Sequence, residues 1–174
     1  TYAEITKYFV IFGSFMSLGV IVFADVLKVF LVPREEYWIA MNIVPLIVIA
    51  NFFLGIYTNL SVWYKLIDKT KIGAYISIVG ALVTLLFNFI LIPYIGCMGS
   101  AIATILAYGA MMIISYKLGQ RNYPIPYDKK RIGFYLGLSV LLSLLSFYIP
   151  VLRETYVFGI ASLLIFVYFV YRNE

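Results

Sequence analysis

The chain has no histidine, one cysteine and only eight acidic residues among 174. Without histidine it has neither a Ser-His nor a Cys-His pair, and Cys97 alone can form no intrachain disulfide and no multi-thiolate metal cluster. Spaced carboxylates inside the apolar runs are missing too, so the residues argue against an enzyme, and neither cofactor nor metal is expected. Charge of either sign is scarce. Only 12% of residues are charged and 64% are hydrophobic, with a mean hydropathy of +1.00, against roughly 45–50% apolar usage in soluble domains. These proportions point to an integral membrane protein. The net charge of +5 does not imply nucleic acid as a partner, because the basic residues fall between apolar spans rather than along one surface stripe.

The clearest feature is Ile72–Tyr116, 45 residues without Asp, Glu, Lys or Arg. One helix of that length would extend roughly 68 Å at ~1.5 Å per residue, more than twice the ~30 Å hydrocarbon core of a bilayer. The run must fold back. Pro93, Tyr94, Ile95 and Gly96 divide it into Ile72–Ile92 and Cys97–Tyr116, each near the ~20 residues of a spanning helix. Small and polar residues recur on both arms: Gly73, Ser77, Gly80, Ala81, Thr84 and Asn88 on the first, and Gly96, Gly99, Ser100, Ala103, Thr104 and Ala107 on the second. In lipid such stripes let backbones approach closely, so Gly80, Thr84, Gly99 and Ala103 are the expected packing contacts of an antiparallel hairpin.

The remaining spans follow from charge and proline. Tyr8–Val32 reads as the first, ending near a Pro33–Glu36 loop, and Tyr37–Tyr64 as a long, tilted or kinked second with Pro45 early and Trp38 and Trp63 at the two interfaces. A basic turn follows, where Asp68 or Thr70 is the expected cap of the next helix. After the hairpin, Tyr123–Tyr127 cannot be regular helix because of Pro124 and Pro126, and reads as an interfacial loop with Tyr anchors. Ile132–Leu152 and Thr155–Tyr171 are spans five and six. With a cytoplasmic N-terminus, ten of the 13 Lys and Arg lie inside and Lys28, Arg34 and Arg153 outside, which places both termini in the cytoplasm. The Lys129, Lys130, Arg131 cluster fits this topogenic role, with binding of anionic headgroups as a secondary reading.

Candidate functional groups are few. Asp25 and Lys28, three apart on one helix face, either neutralise each other near the outer surface or belong to a substrate or ion path. Asn51, Asn59 and Asn88 need hydrogen-bond partners in lipid, from a neighbouring helix or from a sugar.

Three strings go further: NFILIPYIGCMGSAIATILAY (Asn88–Tyr108), GIYTNLSVWYKLIDKTKIGAYISIVG (Gly55–Gly80) and SYKLGQRNYPIPYD (Ser115–Asp128). In order and spacing they resemble the polysaccharide biosynthesis proteins of bacterial lipopolysaccharide and capsule clusters, an oligosaccharide flippase family of the multidrug, oligosaccharidyl-lipid and polysaccharide exporter superfamily. The resemblance implies an all-α polytopic protein of the bacterial inner membrane, here the C-terminal part of a two-lobe exporter fold. Residues 1–120 would then be four helices of the C-terminal transport lobe, and 121–174 an interfacial loop with two added helices. Its implied partners are membrane lipid, the missing N-terminal lobe and a polyprenyl-diphosphate-linked oligosaccharide. A diphosphate asks for cations, which makes Lys28, Arg34 and Lys65 candidates for the path beside Asp25, Asn51, Asn59 and Asn88. The alternatives are a cation-coupled drug exporter of the same superfamily and a non-transporting scaffold subunit of polysaccharide assembly.

Overall fold

The computed structural model describes residues 2–31, 41–149 and 156–173; the expected Pro33–Glu36 loop with Arg34, and Trp38, lie outside them. Among the described residues the chain is helical, without a strand: α1 (Tyr2–Val22), α2 (Ala24–Leu31), α3 (Val44–Leu60), α4 (Val62–Leu66), α5 (Thr70–Ile95), α6 (Cys97–Asn122), α7 (Lys129–Tyr148) and α8 (Tyr156–Asn173). Five stretches are long and apolar enough to cross a membrane, with α3 and α4 together making one of them, and α8 is a shorter apolar helix. This is the architecture of a polytopic membrane protein. Its surface agrees: Leu82, Leu85, Phe89 and Tyr94 on α5 are all more than 60% exposed, tolerable where the solvent is lipid.

The helices form two compact units that do not follow chain order. One comprises residues 1–6 and 49–127, the other 7–48 and 128–174. The first span, from residue 7 of α1 through α2, thus groups with the last two helices, while α3 from residue 49 and α4 group with the hairpin.

In the hairpin unit, α5 and α6 pack along their length, and the turn between them is shorter than the sequence suggests. The α5 helix runs through Pro93 to Ile95, and Gly96 alone joins it to α6. Pro93 removes one N–H only, in the last turn, so the helix survives it. Gly96 has φ +56° and ψ −135°, a conformation essentially reserved for glycine, while its N–H donates to the Ile92 carbonyl and its carbonyl accepts from Gly99. Each arm has 26 residues, about 39 Å of helix, long enough to extend beyond the ~30 Å hydrocarbon core. Ala101, Ala103 and Ala107 are fully enclosed, and a Cβ on Gly99 would stand 2.7 Å from the Leu91 carbonyl carbon.

The aromatic core of this unit is built by α3 and α4 against the hairpin. Trp63 is 1% exposed and its Nε1 donates to the Ser115 carbonyl at 3.2 Å, while Gly119 makes room for its ring. It is therefore a buried packing residue, and not the interface anchor its sequence position suggested. Gly119 lies within α6, three residues before its end. Pro45 sits in the first turn of α3, where a missing N–H costs little; the helix is interrupted instead at Ser61, whose hydroxyl donates to the Thr58 carbonyl at 2.6 Å.

The turn into α5 also differs from expectation. Neither Asp68 nor Thr70 caps the helix; Lys69 is the N-cap residue and makes no side-chain cap bond. Instead Asp68, with φ +57°, ends α4 in a Schellman motif, in which Lys69 N–H donates to the Tyr64 carbonyl and Asp68 N–H to that of Lys65.

In the second unit, α1 continues almost directly into α2 through Phe23, whose N–H bonds to the Gly19 carbonyl and whose carbonyl accepts from Leu27. Small residues let its helices meet: Ser14 and Ser139 are buried, the Ser139 hydroxyl donates to the Ser14 carbonyl at 3.4 Å, and Gly159 lies against Val22. The α7 helix starts three residues earlier than its apolar run because Asp128 caps it, accepting from the Arg131 N–H at 3.2 Å. It ends at Tyr148, and Ile149 before Pro150 is extended, as a residue preceding proline prefers.

Candidate functional site

The candidate residues divide between the two units. Asp25 and Lys28 lie on α2, where the ammonium donates to the carboxylate at 2.9 Å and both side chains keep about a fifth of their surface exposed. The i, i+3 spacing puts them on one face, and the ion pair lowers the cost of holding either charge within an apolar run. Arg34 lies outside the described residues.

The other four belong to the hairpin unit. Asn51 is exposed on α3. With Gly55, Thr58 and Asn59 it forms a polar strip, since residues four and seven apart share a helix face. The hydroxyl of Thr58 and the amide of Asn59 both donate back to the Gly55 carbonyl, at 2.7 and 3.1 Å. Thr84 and Thr104 do the same to Gly80 and Ser100. These three threonine hydroxyls thus bond one turn back on their own helices, whereas the Tyr57 hydroxyl on α3 pairs with Tyr64 at 3.4 Å and bonds to Ser77 on α5. Lys65 is exposed in the last turn of α4.

Asn88 is different. It is half-buried on α5, and its Oδ1 is shielded from solvent with no hydrogen-bond partner among the described residues. Its side chain lines an open groove of about 720 Å³ bounded by Leu85, Phe89, Ile92, Pro93 and Tyr94. An amide carbonyl enclosed by apolar groups is costly unless something donates to it, commonly by 1–3 kcal/mol. The Oδ1 is closed off as it stands, so a hydroxyl-bearing ligand or partner helix in the groove reaches this acceptor once the Asn88 amide turns toward it.

Of the named path residues, then, the structure places Asn51, Asn59, Lys65 and Asn88 in one unit and Asp25 and Lys28 in the other. No group of three or more metal-ligating side chains occurs among the described residues.

Two features take their shape only in the structure. The loop after α6 is tied down: Gln120 donates to the Ile125 carbonyl at 2.7 Å, and Tyr127 stacks at a tilt on Tyr116, 6.0 Å between centroids. Burial raises the Tyr127 pKa above its ordinary value; a hydrogen bond with Thr6 opposes the rise and the neighbouring Tyr116 adds to it. The second is a cleft between the start of α7 and the end of α8, lined by Lys130, Arg131, Phe134, Tyr135, Phe169 and Asn173. The basic cluster was visible in the sequence, whereas its aromatic wall requires α8 to lie beside α7.

Fold and surface define a multi-pass helical membrane protein. No protein-family model, curated protein or solved structure matches the chain.

Proposed function

We propose that the chain is the C-terminal portion of an inner-membrane flippase that moves a polyprenyl-diphosphate-linked oligosaccharide to the outer leaflet for lipopolysaccharide or capsule synthesis. On this reading α8 is a sixth span, both ends are cytoplasmic, and an N-terminal lobe completes the translocation path. The reading starts from the resemblance of Asn88–Tyr108 and its flanks. The observation that carries it further is Asn88, an acceptor without a partner among the described residues, beside a groove on the least covered helix of the hairpin. A sugar headgroup crossing a low-dielectric slab needs such groups, because each unsatisfied hydroxyl costs several kcal/mol there.

One observation favours lipid-linked sugar over cation-coupled drug export. Apart from Glu4 in the first turn of α1, Asp25 is the only carboxylate on the described helices, and Lys28 holds it in an ion pair at 2.9 Å. A coupling carboxylate must exchange its cation, and a permanent ammonium partner works against that.

The test uses the full-length protein in its host. Asn88→Ala, Lys65→Ala and Arg34→Ala should each lower surface polysaccharide while lipid-linked precursor accumulates on the cytoplasmic side and protein levels stay normal. If Lys28, Arg34, Asn51, Asn59, Lys65 and Asn88 all tolerate alanine with normal surface polysaccharide, this path is refuted.

A further inference from the structure

The cleft between α7 and α8 has a chemistry unrelated to the hairpin groove. It is lined by two cations, Lys130 and Arg131, by the amide of Asn173, and by the rings of Phe134, Tyr135 and Phe169. Its volume of about 380 Å³ is of the order of small-ligand pockets, ~300–1,000 Å³. The rings are braced against each other, Phe134 to Phe169 at 5.6 Å and Tyr135 to Phe166 at 6.2 Å, both edge-to-face. The Arg131 guanidinium is oriented by Asp128, with Nε 3.1 Å from Oδ2, whereas Lys130 has no ion-pair partner among the described residues. Arg172, exposed beside Asn173, adds positive charge at the same end of α8.

We propose that this cleft binds the phosphate headgroup of an anionic phospholipid. A soluble anion would find its cations but gain nothing from three aromatic rings. An amphiphile uses both kinds of group: the phosphodiester meets Lys130, Arg131 and Asn173, and the glycerol and upper acyl carbons lie along Phe134 and Phe169. The cleft also sits where a headgroup must be, at the end of an apolar 20-residue helix, with Lys129–Arg131 marking its emergence from the hydrocarbon. Basic pockets between spanning helices are recognised sites for anionic headgroups, and each nearby Lys or Arg strengthens the attraction about fivefold. This proposal does not depend on the transport reading, since any protein carrying these two helices would hold the lipid.

The experiment titrates the full chain in detergent with phosphatidylglycerol, phosphatidylcholine or inorganic phosphate, and counts bound molecules by native mass spectrometry. Phosphatidylglycerol should bind one site in preference to phosphatidylcholine, and inorganic phosphate at equal concentration should not displace it. Lys130→Gln with Arg131→Gln should weaken that binding roughly 25-fold, at about fivefold per cation. Lys117→Gln, on another helix, should leave it unchanged. The Arg131 backbone N–H that completes the α7 cap is retained in the double variant, and Asn173→Asp at the exposed end of α8 provides a second variant with little risk to folding; it should weaken binding about fivefold. Unchanged affinity in a folded Lys130→Gln/Arg131→Gln or Asn173→Asp protein overturns the proposal. So does an equal loss in Lys117→Gln, which would mean general surface charge, or displacement by inorganic phosphate, which would mean a free-anion site.

Discussion

Replacing Gly99 by alanine tests whether the hairpin is held by backbone contact rather than by side-chain interdigitation. A Cβ there would lie 2.7 Å from the Leu91 carbonyl carbon, 2.8 Å from its oxygen and 2.9 Å from its Cβ, about 0.7 Å short of ordinary contact at 3.4 Å. Two of the three obstacles are main-chain atoms of α5, which no rotamer change can move. The arms must separate beside the Gly96 turn, where a single residue leaves no slack. Overpacking of this kind costs typically ~1–3 kcal/mol, and the rigidity of the obstacle places Gly99→Ala toward the upper end.

Two other glycines make the test internal. Gly109→Ala, also on α6, would meet only Phe53 ring carbons at 3.6 Å or more, so its net effect should be neutral or a gain of up to ~1 kcal/mol from helix propensity. Gly80→Ala would press on the Met111 thioether, a flexible group that can swing aside, and should fall between the two. Unfolding of each variant by detergent titration should rank Gly109→Ala most stable and Gly99→Ala least, with a gap of roughly 2–3 kcal/mol between them. A Gly99→Ala protein as stable as Gly109→Ala would mean that the arms do not approach this closely, and the packing argument would fail.

Ala103 is fully buried and Leu106 is 40% exposed, so Ala103→Leu should destabilise by about 1–3 kcal/mol, more than Leu106→Ala, in the same assay. Asp68 occupies the left-handed position of the Schellman turn, where a side chain costs about 1 kcal/mol relative to glycine; Asp68→Gly should raise stability by that order, and a loss would remove the motif from the account. Cys97 is exposed beside the hairpin turn and is the only thiol in the chain. With cytoplasmic termini it faces outward, so a membrane-impermeant maleimide should label it in intact cells; labelling only after lysis would invert the topology.

The fold was legible to the extent that lipid solvation dictates it. A charge-free run of 45 residues cannot cross a bilayer once, and a glycine three residues after a proline leaves few places for the reversal. The details that went astray were local competitions. Pro93 looked like a break, yet a helix already ending loses little by keeping it. Asp68 looked like the cap of α5 but serves the end of α4, while Asp128, not considered as a cap, extends α7 through three basic residues. Trp63 fits an interfacial belt by composition, and only the contact with Gly119 and the Ser115 carbonyl shows that it is buried.

The polar groups show where sequence reasoning runs out. Asn59, Thr58, Thr84 and Thr104 all carry the side chains that interhelical hydrogen bonding would use, and in each the available partner is the carbonyl one turn back on the same helix. That choice costs no second helix and leaves these residues chemically quiet. Asn88 sits where the equivalent carbonyl is Thr84's, and its Oδ1, being an acceptor, cannot bond to a carbonyl at all. Satisfying it requires a donor from outside the α5 ladder, either a neighbouring helix or a ligand hydroxyl. Spacing alone treats the three asparagines alike. A buried acceptor without a partner among the described residues sets Asn88 apart, and under the flippase proposal its groove is where a sugar would have something to gain.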